Sequence, residues 1–181
     1  MSSKLCIGFP TALSRLLAAI ALVPLLVSLS WSQAIEKVIY DFTGGSNGAA
    51  PYGGLILDSA GNLYGTTASA PGTFGYGTVF KLTPSNGVWI ETVLHNFTGT
   101  YGGGDGDGPA AGLIFDSAGN LYGTTGGGGT NEAGTVFKLT YSSGVWTEAV
   151  LHSFAGSDGQ SPDSGLIFDS KGNLYGTTVY G

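Results

Sequence analysis

Cysteine, arginine and long apolar runs are what this chain has least of. Cys6 is the only cysteine, so no disulfide can form within the chain and any folded part is held by packing alone. Arg15 is the only arginine, and charged residues make up just 10% of the sequence. Beyond residue 34 the basic residues are Lys37, Lys81, Lys138 and Lys171, against all 12 acids, which leaves a net charge of −8 there. A surface with that balance is a poor partner for nucleic acid or for anionic membranes. The longest apolar run, residues 16–29, is shorter than the roughly 20 residues that span a bilayer. No part of the chain after residue 34 repeats its apolar residues with a helical period.

The N-terminal 34 residues have the layout of a secretory signal peptide. Lys4 and Arg15 precede the short apolar run, and Ser32-Gln33-Ala34 supplies small residues for cleavage. An uncleaved anchor is the alternative, disfavoured by Pro24 and by the small-residue end. The mature chain is therefore expected to be residues 35–181, exported, and extracellular or at the cell surface, with the periplasm as the other destination.

What is abundant is glycine, 33 residues of 181, punctuating runs rich in β-branched and aromatic residues. The glycines follow no Gly-X-Y period, and the apolar content is enough for a core. GNLYGTT occurs at 61–67, 119–125 and 172–178, each time after Leu-Ile-(Leu/Phe)-Asp-Ser. Repetition at this scale signals tandem supersecondary units. Each unit reads as four short strands: a (55–57, 113–115, 166–168), b (62–67, 120–125, 173–178), c (78–83, 135–140) and d (89–97, 146–154), with 38–42 matching the end of an earlier d. The units cover about 38–92, 93–149 and, in part, 150–181.

The a–b turn and the c–d turn keep one length in every copy, as hairpins do. The d–a connections (42–54, 97–112, 154–165) and the b–c connections (67–77, 125–134) differ in length. In an up-and-down unit those two classes leave the sheet at the same end, so the variation falls on one face, the face expected to bind. Four-stranded antiparallel units in tandem lead to an all-β, β-propeller-like array of about two and a half blades. Propellers close with about 4–8 blades, so the sequence reads as the front part of a longer repeat protein. An open stacked array, or closure by oligomerisation, is the alternative.

The unit F-x-G…DG…P…GLIFDS-x-GNLYGTT…GTVFKLT…G-V-W…VLH-x-F resembles the GloVer tandem repeat of exported bacterial proteins whose relatives carry varied C-terminal anchors. The likeness covers 38–181 and implies an exported, surface-associated protein with propeller-like repeats. It implies no known activity, since no established catalytic residues carry over, and no cofactor is expected.

Candidate chemistry is sparse. Asp105 and Asp107, alternating with glycines, are the candidate ligands for a hard cation. Their spacing completes neither an EF-hand nor a glycine-aspartate nonapeptide, and Asp107-Gly108 aligns with Asn47-Gly48 and Asp158-Gly159 as a repeated turn. No metal is therefore assigned. His95 and His152 occupy matching positions, where the first copy has Tyr40, and read as amphipathic strand residues. Residues 126–129 lack the context of a phosphate cradle. Asp58, Asp116 and Asp169 recur at the a–b turn and are expected to bond turn amides. Trp89, Trp146, Tyr64, Tyr122 and Tyr175 read as packing between units. The aromatics that do not repeat, Tyr52, Phe74, Tyr76 and Tyr101, lie in the variable loops and are the ligand-face candidates. The expected function is a non-enzymatic binding or display scaffold for an extracellular glycan or protein. An extracellular propeller enzyme acting on polysaccharide, or an inert truncated fragment, is the alternative.

Overall fold

A computed structural model describes residues 36–69, 75–99 and 104–181, together with the backbone of 3–7. Most of the expected signal peptide lies outside the described residues. Ser3–Ile7 forms a strand (β1) that pairs antiparallel with Lys37–Phe42 (β2).

Two four-stranded antiparallel sheets follow, each in the simple order a-b-c-d. The first contains Ile56–Leu57 (β3), Leu63–Thr67 (β4), Thr78–Ser85 (β5) and Val88–Asn96 (β6). The second contains Ile114–Phe115 (β7), Leu121–Thr125 (β8), Thr135–Ser142 (β9) and Val145–Ser153 (β10). Ile167–Phe168 (β11) pairs with Leu174–Tyr175 (β12) as a third a–b pair. The expected strands are thus found within a residue or two, with one exception. Strand b of the third unit stops at Tyr175 rather than residue 178. In the complete sheets the residues matching 176–178 are held by strand c, as in Gly65↔Phe80 and Thr67↔Thr78, and no such neighbour lies beside β12 among the described residues. Among those residues, too, no helix is long and apolar enough to cross a membrane.

The c–d connection is tighter than the expected strand bounds imply. Only Asn86-Gly87 and Ser143-Gly144 lie between the strands, and all four have positive φ, the requirement of a two-residue type I′ turn. Pro84 is tolerated in β5 because β4 pairs only as far as Leu82, leaving the proline without a ladder partner on that side.

The first sheet buries one face against β2 and the other against the second sheet. Phe42, Leu63, Phe80 and Leu82 form one core between β2 and the first sheet, with Leu55 and Trp89 packed on it. Their counterparts Phe97, Leu121, Phe137 and Leu139 form the next, between the two sheets, with Leu113, Tyr64 and Val79, and with Trp146 packed on it. Burying a phenylalanine of this kind contributes about 1.5–3 kcal/mol, which is what a disulfide-free stack relies on. Aromatic pairs cross the interfaces, Tyr64 on Phe115 and Tyr122 on Phe168, each edge-to-face with centroids 5.1 Å apart.

Candidate functional site

The two variable loop classes meet at one end of the sheets. Isolated bridges join them at Ala49↔Ser69, Asp107↔Gly127 and Gln160↔Tyr180. These bridges also set the phase between units. Asp107 matches Ala49 and Gln160, so the residue matching Asn47 and Asp158 is Asp105. This corrects the alignment by two positions. Both Asp105-Gly106 and Asp107-Gly108 offer an Asp-Gly pair, and the longer second loop let the wrong one be matched. Asp105 is therefore the repeated position and Asp107 the peculiar one.

A β-bulge in strand d controls what reaches this end. In β6 the ladder runs Val79↔His95 and then Phe80↔Val93, which leaves Leu94 as the extra residue. The same shift occurs in β10, where Leu151 is skipped, and in β2, where Ile39 is skipped. A bulge flips the alternation of side chains beyond it. Trp89 and Glu91 consequently face back toward β2, whereas His95 and Phe97 face forward toward the second sheet. Strands β6 and β10 thus each supply a glutamate to the interface behind, and β2, β6 and β10 each present a Tyr or His on the forward side.

The resulting cluster exists in three versions. At the first interface the Tyr40 hydroxyl donates to Glu91 Oε2 at 2.8 Å, and Asn47 Nδ2 donates to Tyr40 Oη at 3.3 Å. Burial, and then the neighbouring Glu91, raise the tyrosine pKa, with Asn47 opposing them. Burial also raises Glu91, although the Tyr40 bond works against it. At the second interface His95 Nε2 lies 2.8 Å from Asp105 Oδ2, and the Thr98 N–H and Oγ1 each donate to Asp105 Oδ1 at 2.8 Å. Glu148 completes it, and the ligand atoms of the three residues lie within 4.8 Å of one another. Burial pulls the Asp105 carboxyl up, but the bonds from His95 and Thr98 outweigh it and hold it low. Glu148 is pushed up to about 7, mainly by burial, with attraction to His95 and repulsion from Asp105 opposing each other. Its Oε1 is buried without a hydrogen-bond partner among the described residues. At the third position His152 Nε2 pairs with Asp158 Oδ2 at 2.9 Å in a half-exposed setting. An edge-on phenylalanine supports the ring each time: Phe42 under Tyr40, Phe97 under His95, Phe154 under His152.

Of the residues singled out from sequence, Asp105 joins this cluster and Asp107 does not. Asp107 bridges to Gly127, and its pKa is raised by burial and then by Glu132. Tyr52 is 76% exposed and Tyr76 is 37% exposed, in loops of the same end, whereas Phe74 and Tyr101 lie outside the described residues. His95 has charged neighbours that its sequence context did not reveal, and Glu148, which recurs with Glu91 on strand d, was not among the site candidates. The available signal was the joint change from Tyr40 and Asn47 to His95 and Asp105 while the glutamate stayed constant.

The opposite end is architecture. Asp58 Oδ1 accepts from the Ala60 and Asn62 N–H groups at 2.9 Å, and Oδ2 accepts from Asn62 Nδ2 at 2.7 Å and Tyr64 Oη at 3.0 Å. Asp116 and Asp169 repeat this arrangement. The turn-amide role expected for the three aspartates is what the structure has. Tyr64 is pushed up to about 12 by burial and by Asp58.

A family described as the Gloeobacter/Verrucomicrobia repeat matches residues 25–181. No curated protein matches the chain.

Proposed function

This chain belongs to the Gloeobacter/Verrucomicrobia repeat family, and from that membership we propose that it is an exported, surface-associated scaffold that binds or displays without catalysis. The stacked sheets serve as propeller blades, and further units of the same kind complete the ring. A cavity of about 460 Å³ supports this, because it is lined by Leu166 and Gly176, the counterparts of the residues that cradle Phe80 and Phe137 in the complete sheets. A third strand c would place its phenylalanine there.

One observation carries the binding role. The residues constant between units are consumed by packing and turn bonds, while the loops that differ are bridged together at one end. Evolvable recognition on a rigid frame has that division. Extracellular glycans are the proposed ligand class, with exposed loop aromatics such as Tyr52 as stacking surfaces. Glycan-array binding without turnover is the expected result, and release of reducing ends from a bound polysaccharide would overturn the scaffold reading. A second reading, a polysaccharide-acting enzyme, draws on Glu148, whose pKa of about 7 suits a general acid beside Asp105. On that reading Glu148→Gln abolishes the release of reducing ends.

A further inference from the structure

We infer that the interface between the two four-stranded sheets holds a divalent cation of the zinc class, ligated by His95, Asp105 and Glu148. The three side chains come from separate segments: β6, the loop that follows it, and β10. Their ligand atoms already converge, with His95 Nε2 and Asp105 Oδ2 2.8 Å apart and all three within 4.8 Å. Ligands on tetrahedral zinc sit about 3.3 Å from one another at bond lengths of about 2.0–2.2 Å, so side-chain shifts of about 1 Å close the site. His95 and Asp105 keep 19% and 17% side-chain exposure, which leaves an approach for a water as fourth ligand.

Two further observations point to a ligand. Asp105 Oδ1 is pinned by both donors of Thr98, so Oδ2 is aimed at the cluster, the outer-shell support that ligating carboxylates have. Glu148 Oε1 is buried and has no hydrogen-bond partner among the described residues. Two carboxylates and one imidazole converge there, three groups that can each give a lone pair to one cation.

The first interface is a natural control. Glu91 Oε1 is likewise without a partner among the described residues, but Tyr40 donates to Oε2 and a neutral Asn47 replaces the aspartate. One carboxylate held by a hydroxyl needs no cation. Replacing Tyr and Asn by His and Asp removes that donor and adds two ligand atoms. The mixed imidazole–carboxylate set suits zinc better than calcium, which takes six or more oxygens. His152 and Asp158 present the same two ligands at the third position, where a glutamate from another sheet would complete a second site. In a chain without disulfides, such a cation ties successive sheets together.

The test is zinc titration of the 181-residue chain by calorimetry, with Cys6→Ser in every protein so that no thiol competes. One equivalent binds, the melting temperature rises with zinc, and Asp105→Asn or Glu148→Gln weakens binding by about tenfold or more. His152→Gln leaves that equivalent intact. Tyr40→His combined with Asn47→Asp creates a second equivalent at the first interface, a gain that misfolding cannot mimic. Absence of binding up to about 1 mM zinc overturns the site. So does binding that survives both Asp105→Asn and Glu148→Gln. A third refutation is Asp105→Asn lowering the melting temperature equally with and without zinc, which makes the cluster a hydrogen-bonded latch only.

Discussion

Phe137 lies directly opposite Gly123 across the ladder, so near that a methyl group on the glycine would sit 2.6 Å from the ring's Cζ. Gly65 and Phe80 stand in the same relation, at 2.7 Å. The central glycine of LYGTT is therefore the floor on which the core phenylalanine of strand c lies. Gly123→Ala should destabilise the chain by about 1–3 kcal/mol, the usual cost of overpacking a filled core. Gly176→Ala should cost less, because among the described residues only the Leu166 side chain is near it. Urea unfolding measures both, and Phe137→Leu should recover part of the Gly123→Ala loss. Equal effects at the two glycines would show that the ring is not the cause.

The Asp116 turn predicts a specific acid sensitivity. Burial raises this carboxyl, but the bonds from Asn120, Tyr122 and Ala118 outweigh it, so the folded pKa lies below the unfolded one. The stabilisation is complete above about pH 4, where the unfolded carboxyl is ionised, and is lost as pH falls through the lower folded value. Asp116→Ala should cost about 1–2 kcal/mol at neutral pH from lost bonds. Asp116→Asn should flatten this part of the acid transition in a stability–pH series. A variant whose pH profile overlays that of the parent would remove the turn as its source.

How far these features could be read in advance differs between the two ends. The strands, the a–b turn and its aspartate were legible because GNLYGTT recurs at fixed hairpin lengths, and short-range bonds follow from short-range sequence. The cluster at the other end was not. Glu91 and His95 stand at even spacing on one strand, so simple alternation puts them on the same face. The unpaired Leu94 separates them, and nothing in Val93-Leu94-His95 announces a bulge. The aspartate partner was misassigned because loops of unequal length surround two adjacent Asp-Gly pairs. Pairing across an interface depends on both at once.

At the first interface the hydroxyl of Tyr40 is the donor that Glu91 depends on. Tyr40→Phe removes it and leaves the carboxylate half-buried with neither oxygen served by this tyrosine. The expected loss is about 1–3 kcal/mol, the penalty for stranding a polar group. Adding Glu91→Gln should restore part of it, since the buried charge is gone. A double-mutant cycle in urea measures the coupling, and additive losses would show that the bond carries no weight.

Tyr52 separates recognition from stability. Its side chain is 76% exposed and its N–H is already bonded to the Ala50 carbonyl, so truncation leaves the turn intact. Tyr52→Ala should therefore change stability by less than about 0.5 kcal/mol, as surface substitutions usually do. If the variable-loop end binds glycans by stacking, the same change should weaken binding several-fold on an array or in calorimetry. The Asp116→Ala variant should show the reverse: lowered stability, with affinity retained at temperatures where it is folded. A Tyr52→Ala protein that binds as the parent does would move the recognition surface away from this loop. A protein that loses binding and stability together would make Tyr52 part of the frame rather than of the binding face.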